Sequence, residues 1–144
     1  MATYSATNYD KKPALSHGLS GNVKAARAVV SCTSAPSTSD TLNFFYLPAG
    51  ARVHLAVLEA SDMDTDGTPT ITLNIGDSGD ADRLFAASTV AQAGTLSTAI
   101  ATAGADYQYT SETLITGVAA ANATAGAAGT VTLTVFYSVE GLAS

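Results

Sequence analysis

Charge is scarce in this chain of 144 residues. Charged residues make up 12% of it, against about 25% in an average soluble domain. Nucleic-acid binding requires clustered basic side chains that displace counterions from phosphates. Only Lys11, Lys12, Lys24 and Arg27 lie near one another, and the net charge is −6. The composition therefore predicts no nucleic-acid partner, and it favours a surface of small uncharged side chains suited to close packing against another protein.

Tryptophan and long apolar runs are absent, and cysteine occurs once. The single cysteine, Cys32, excludes an intramolecular disulfide and a thiolate metal cage. We expect it to be a small core side chain on a strand. The sequence has no apolar span of about twenty residues and no apolar N-terminal segment, so it indicates neither a membrane partner nor export.

Recognisable catalytic and cofactor motifs are absent as well. There is no phosphate-binding loop and no dinucleotide fingerprint. Residues 76–79, Gly-Asp-Ser-Gly, match most of the nucleophile motif of trypsin-like proteases, and His54, Asp64 and Ser78 follow that family's order. However, His54 and Asp64 flank one predicted strand, whereas such a triad draws them from distant parts of a double barrel. We therefore predict no enzyme activity and no cofactor, and we expect His54 to be a packed core or interface residue.

Alternation of polar and apolar residues predicts the strands. Residues 70–75 alternate at period two, so their apolar side chains share one face of a half-buried strand. Residues 53–58 form a nearly continuous apolar run, as expected of a central strand covered on both sides. An Asp-Gly pair and a proline lie between them and favour a turn. We therefore predict two consecutive antiparallel hairpins across residues 41–75.

Other segments extend the same pattern along the chain. Further strands are predicted at residues 22–33, 42–47, 107–110, 112–118 and 130–139, and residues 99–101 are another candidate. Residues 47–50 suit a type I turn that begins at Leu47. Residues 81–87 suit a short helical turn, anchored to the core by Leu84 and Phe85, with Asp80 near its N-cap.

About eight short strands without a long helix predict an all-β fold. The favoured architecture is a single-domain antiparallel β-sandwich of jelly-roll type over residues 21–144, preceded by an extended N-terminal arm over residues 1–20. An immunoglobulin-like sandwich is the alternative, although the chain lacks the tryptophan and the paired cysteines that mark many such domains.

Acidic side chains crowd the middle of the chain. Asp62, Asp64 and Asp66 copy the opening of a calcium-binding EF-hand loop, but Leu73 replaces the Glu required at the twelfth position. The flanking segments also predict strands where an EF-hand needs helices. A looser calcium site on these aspartates and a solvated hairpin tip both stay open. For Arg83, a local ion pair is expected, and docking to a partner carboxylate is the alternative.

Two segments carry a likeness to a known family. Residues 44–53 (FFYLPAGARV) and residues 73–84 (LNIGDSGDADRL), with the alanine-rich stretch that follows, resemble small virion structural proteins of tailed bacteriophages. Acidic, β-rich proteins of this size without enzymatic motifs are most similar to capsid decoration, or cement, proteins, which usually sit as trimers and brace the expanded shell. The resemblance implies a homotrimer on the outer capsid surface of the virion, made in the host cytoplasm, with the major capsid protein as partner.

The resemblance transfers no contact residue position by position. We expect subunit or capsid contacts from the arm, from two aromatic residues of the second body strand and from one basic residue. These are Tyr4, Tyr9, Lys11, Lys12, Phe45, Tyr46 and Arg83. The competing hypothesis is a virion-surface or tail-associated β-sandwich that binds host carbohydrate. The absence of tryptophan counts against it, because glycan sites usually present aromatic platforms.

Overall fold

The computed structural model describes residues 1–6 and 22–141, and the regular secondary structure of these residues is almost entirely β-strand. The nine strands are β1 (Thr3–Ser5), β2 (Lys24–Cys32), β3 (Thr41–Leu47), β4 (Ala51–Ala60), β5 (Thr72–Asp77), β6 (Asp80–Ser88), β7 (Leu96–Ser97), β8 (Thr113–Ala121) and β9 (Gly129–Val139). A single 3₁₀ turn, Val90–Gln92, lies between β6 and β7. No helix in this described part of the chain is long and apolar enough to cross a membrane.

The strands form two sheets that enclose one core. One sheet has the order β1-β3-β8-β5-β6 and the other β2-β9-β4-β7. Four antiparallel pairs nest within one another along the chain, namely β2 with β9, β3 with β8, β4 with β7 and β5 with β6. The chain from β2 to β9 is thus one long hairpin whose successive pairs fall in alternate sheets. This is a jelly roll, so the predicted β-sandwich is confirmed and the immunoglobulin-like alternative is not.

The predicted pair of consecutive hairpins is wrong. β3 and β5 lie in the five-stranded sheet, whereas β4, between them in sequence, lies in the four-stranded sheet. The link from β3 to β4 is a turn in which the Ala51 N–H donates to the Pro48 carbonyl, 3.1 Å away. The turn therefore begins at Pro48 rather than at Leu47, and Gly50 occupies its third position with φ +89°. Glycine is favoured there because other residues adopt positive φ only with strain.

The core lies between the sheets and is built from the inward positions of each strand. Ile71, Leu73 and Ile75 are fully buried, as the period-two pattern predicts. Val131, Leu133, Val135 and Tyr137 fill the same role on β9, which lies between β2 and β4.

Cys32 at the end of β2 is buried and unpaired, as expected of a small core side chain. Burial, followed by the negative charge of Asp40, raises the pKa of its thiol to about 11.

Three local assignments made from the sequence are wrong. The segment predicted as a helical turn is β6, which pairs with β5 through a tight turn that places Asp77 opposite Asp80. Residues 99–101 form no strand, and residues 107–110 contribute only a single bridge between Gln108 and Arg52. Leu84 and Phe85 are both buried, as predicted, but from a strand. Register shifts along β5 and β6 let these two adjacent side chains both lie inward.

β4 is not covered on both sides as predicted. One side of the strand faces the core, and the other lies on the outer face of the four-stranded sheet, where Leu55 is exposed. A bulge between Val53 and Leu55 inserts His54 as an extra residue against β9. The apolar run in the sequence therefore reflects a strand whose outer side also carries apolar residues.

Candidate functional site

The N-terminal residues predicted to make contacts lie largely outside the described part of the chain. Tyr9, Lys11 and Lys12 all fall there. Tyr4 lies on β1, which pairs in parallel with β3 at the edge of the five-stranded sheet. Its hydroxyl is 3.1 Å from Ser34 Oγ, and its ring packs against the core.

The two aromatic residues of β3 have different surroundings. Phe45 is 6% exposed and belongs to the core, so its side chain offers little surface to a partner. A register shift between Asn43 and Phe45 allows both Phe44 and Phe45 to be buried. Tyr46 is half-buried and lies opposite Leu114 of β8. Of the two, only Tyr46 remains a candidate contact residue.

Arg83 forms the local ion pair that was predicted as its main role. Its Nε lies 2.6 Å from Asp77 Oδ2, and its guanidinium stacks 3.9 Å above the ring centre of Tyr107. Burial alone would raise the pKa of Asp77, but the hydrogen bond from Arg83 and that from the Gly79 N–H lower it below its ordinary value. The Arg83 side chain is 13% exposed. Its charge is therefore satisfied within the molecule, which leaves little for docking.

Asp64 is a structural anchor at the centre of the acidic loop. Its carboxylate accepts four backbone N–H groups, from Thr70, Ile71, Thr124 and Ala125, at 2.7 to 3.2 Å. Burial would raise the pKa of this carboxyl, but the four donors hold it well below its usual range. The carboxylate thus joins the loop before β5 to the loop between β8 and β9.

This arrangement leaves the EF-hand-like aspartates without a shared binding position. Asp62 and Asp66 accept hydrogen bonds from nearby backbone N–H groups, those of Asp64 and Thr68 respectively. Among the residues that the structure describes, no three His, Cys, Asp or Glu side chains are grouped so that they could hold a metal ion.

The residues that copy the order of a protease triad are not assembled either. Ser78 lies in the exposed turn between β5 and β6. His54 Nε2 is instead 2.7 Å from Ser138 Oγ, which donates to Glu140 at 3.3 Å. His54 is exposed, so the predicted core position is wrong, although an interface role stays open.

The four-stranded sheet presents an outer face rich in apolar side chains. We call this surface the apolar face and define it by Val29, Leu55, Val57, Leu96 and Phe136. The register places Leu55 opposite Phe136. One row across the four strands consists of Val29, Thr132, Glu59 and Leu96. Threonines of β9 fill the remaining central positions. The result is a flat, nearly neutral surface on a rigid sheet.

Charged groups lie at one end of this surface and within it. At one end, Arg52 pairs with Glu140 at 2.7 Å and with Asp106 at 3.5 Å. Arg27 on β2 and Glu59 on β4 lie on opposite sides of β9, and neither has an ion-pair partner among residues 1–6 and 22–141. The surface thus combines exposed apolar side chains with two charges that lie among them.

Comparison with known proteins bears on which assembly such a surface serves. The chain is 44% identical to a chain in the cyanophage Pam1 capsid asymmetric unit, with a TM-score of 0.77, over 94% of this chain and 99% of that one. The chain belongs to a family of phage capsid-associated proteins. This phage protein also matches a chain of the Ralstonia phage GP4 capsid, with 31% identity and a TM-score of 0.83, over 98% of its own length and 99% of the other.

A more distant likeness supports the fold. A chain in the acid-stable capsid of Helicobacter pylori bacteriophage KHP30 is 18% identical, with a TM-score of 0.59, over 83% of this chain and 90% of that one. No family model and no curated protein matches the sequence. The phage capsid-associated protein is therefore a structural protein of the virion, as the sequence resemblance implied, and it associates with capsid assemblies.

The sequence analysis did not identify the apolar face. Its signal lies in β9, where Phe136 interrupts a row of hydroxyl side chains at Thr130, Thr132, Thr134 and Ser138. A single outward aromatic residue needs no explanation by itself, so the register of the folded strands is required to show that Phe136 lies beside Leu55.

Proposed function

We propose that this protein is a capsid decoration, or cement, protein that binds the outer surface of the assembled phage head as a homotrimer and stabilises the shell. The observation that carries the proposal is the match to a chain of the Pam1 capsid asymmetric unit over nearly the full length of both chains. The partner on the shell is the major capsid protein. The protein acts through its shape and its surface, without catalysis.

The organisation of the molecule supports this role. The sandwich is closed around a continuous core, with fully buried side chains contributed by both sheets. Several of its few charges are paired internally, as with Arg83 and Asp77 or Arg52 and Glu140. A stiff, weakly charged block suits close contact with a large preformed surface. A ligand that binds only the assembled state stabilises that state by mass action, and many copies multiply modest contacts.

Heads assembled without this protein provide the test. We expect the purified protein to sediment with such heads and to raise the temperature at which they disassemble, while free major capsid subunits do not retain it. Heads already saturated with the protein are the control and take up no more. Equal binding to free subunits, or binding to tails alone, contradicts the proposal. Binding to glycans by an isolated protein that ignores heads favours the carbohydrate-binding alternative.

The proposed stoichiometry has a separate measurement. Light scattering of the purified protein is expected to give three times the mass of one chain at micromolar concentration. Two observations together contradict the homotrimer. The purified protein would stay monomeric at every concentration, and electron-microscopy maps of the shell would show it at isolated positions.

A further inference from the structure

We propose that the apolar face is the contact between copies of this chain, with Arg27 of one copy beside Glu59 of the next. The inference rests on the proposed function in one respect, that several copies act together on the shell. It adds which surface joins them and which charges orient them.

Exposed apolar side chains are concentrated on this one side of the molecule. Among the described residues, the large apolar side chains that are exposed, other than Met1, are Val23, Val29, Leu55 and Leu96. Val29, Leu55 and Leu96 belong to the apolar face, with exposed fractions of 36%, 41% and 62%. Val23 precedes β2 and shares the outward register of Val29. Isolated exposed apolar residues need no explanation, whereas a contiguous group on a rigid sheet marks an interface.

The two charges on this surface are arranged so that the surface complements itself. Arg27 and Glu59 lie on strands that flank β9, about 10 Å apart across the sheet and, because Arg27 is opposite Thr134 and Glu59 is opposite Thr132, about 7 Å apart along it. If a second copy is related by a rotation axis parallel to β9, the β2 side of one copy meets the β4 side of the next. Arg27 then faces Glu59 of its neighbour with an offset of about 7 Å along the strand, which the long arginine side chain can span. Among the described residues, neither charge has an ion pair to give up. A twofold axis in this direction packs the two faces against each other with this pairing, whereas a threefold axis brings the β2 side of one copy to the β4 side of the next only at the edges of the face.

The central strands of the other sheet offer no such orientation. The outward positions of its central strands β8 and β5 are Leu114, Thr116, Val118, Ala120, Thr72 and Asn74. These side chains are all uncharged, so they cannot select a partner by charge. The charge pair therefore favours the apolar face, and a copy of the chain rather than the shell as its occupant.

The size of the surface is adequate for a specific contact. Three strands about 30 Å long and the two-residue β7, about 4.8 Å apart, give a footprint of about 460 Å² per copy. A standard interface buries about 800 Å² of accessible surface per partner. A pleated sheet has more accessible surface than its flat footprint, so the two areas are comparable.

Charge reversal tests the pairing directly. In Arg27→Glu and in Glu59→Arg, like charges meet across the contact, and the dissociation constant for self-association is expected to rise at least about tenfold. The double variant Arg27→Glu with Glu59→Arg restores opposite charges and is expected to return within about threefold of the wild-type value. Sedimentation equilibrium measures all four proteins. Single reversals that leave self-association unchanged, or a double variant as weak as the singles, overturn the proposal.

Two matched variants, each with an exposed alanine replaced by glutamate, distinguish a contact through the apolar face from a general effect of adding a surface charge. Ala25 lies on β2 opposite Phe136, and Ala120 lies in the outward register of β8 on the other sheet, and both are exposed. Ala25→Glu is expected to weaken self-association at least about tenfold, and Ala120→Glu to leave it unchanged. Circular dichroism and melting temperature show that each variant is folded.

Binding to heads distinguishes this inference from the proposed function. If the apolar face contacts the shell instead, Ala25→Glu abolishes binding to heads while self-association persists, and the inference is overturned. If the wild-type protein self-associates through this face but does not bind heads assembled without the protein, the inference stands and the decoration role fails. A wild-type protein that is monomeric both free and on heads overturns the inference.

Discussion

The carboxylate of Asp64 shows that one sequence pattern is compatible with two roles, as a ligand of a cation or as an acceptor of backbone hydrogen bonds. The spacing of Asp62, Asp64 and Asp66 is typical of oxygen ligands that converge on a cation. In the folded chain Asp64 instead accepts four backbone N–H groups from two separate loops. Those donors have no strand partners, and burying them unpaired would be costly. The aspartate is therefore needed for folding, whether or not the loop ever meets a metal.

Replacing Asp64 by Asn is expected to lower the melting temperature by at least about 5 °C. The amide keeps one acceptor oxygen but turns an N–H donor toward another N–H, either at Ala125 or at the three donors bound by Oδ2. Asp62→Asn is the matched control, because Asp62 is exposed and receives one hydrogen bond. Thermal denaturation followed by circular dichroism measures both. Equal melting temperatures for the two variants would mean that the Asp64 contacts contribute little.

The difference in melting temperature between the wild type and Asp64→Asn is expected to depend on pH in a definite direction. The folded pKa of Asp64 lies below its unfolded value of about 3.9, so its carboxylate stabilises the fold fully above about pH 5. That stability is lost as the pH falls below about 4 toward the folded pKa. The gap in melting temperature between wild type and Asp64→Asn is therefore expected to be largest at neutral pH and to narrow in acid. A gap that widens on acidification contradicts this assignment.

At the scale of strands, the sequence predicts those whose inward positions are filled at a strict period of two. β9 is the clearest case, with Val131, Leu133, Val135 and Tyr137 all buried. β6 escapes prediction because Leu84 and Phe85 are adjacent and its end is rich in alanine, so the period is broken by bulges. Alanine then favours helix on intrinsic propensity, and pairing with β5 overrides it.

Sheet membership and the apolar face are beyond local patterns for a related reason. β3, β4 and β5 follow one another, yet their partners are β8, β9 and β8 again, far along the chain. No local signal encodes such distant pairing. The bulge at His54 likewise decides that Leu55 lies opposite Phe136 on the outer face. Aromatic content alone does not distinguish inward from outward positions, so the sequence does not show that Phe45 lies in the core.

The turn between β3 and β4 offers a test of how sharply an element is constrained. Gly50 has φ +89°, and a Cβ at this position would collide with the backbone oxygen of Glu140. Gly50→Ala is therefore expected to destabilise the protein by on the order of 2 kcal/mol. Gly67→Ala is the control, because a Cβ there has no atom within 4 Å, and its effect is expected within about 0.5 kcal/mol. Urea denaturation compares them, and equal losses would show that the turn tolerates a side chain.

At the scale of the whole molecule, the arrangement of charge distinguishes this protein from one that finds its partner by electrostatic attraction. Charged residues are 12% of the chain. Several are paired internally, including Arg52 with Glu140 and Arg83 with Asp77. The outward positions of both sheets are nearly neutral. On the proposed function, association with the shell must then depend on close packing of apolar and small polar groups.

This composition predicts that binding to heads is insensitive to salt. Between about 0.05 M and 0.5 M sodium chloride, the screening length falls from about 14 Å to about 4 Å. Because few free charges face a partner, we expect the dissociation constant for heads to change by less than about threefold over this range, as measured by co-sedimentation. Ala120→Lys adds a charge to the outer face of the five-stranded sheet and is the matched control. This variant is expected to make binding to heads depend on salt only if that face approaches a charged surface of the shell. A wild-type affinity that falls tenfold or more with salt would mean that charged contacts, rather than shape and neutral packing, hold the protein on the shell.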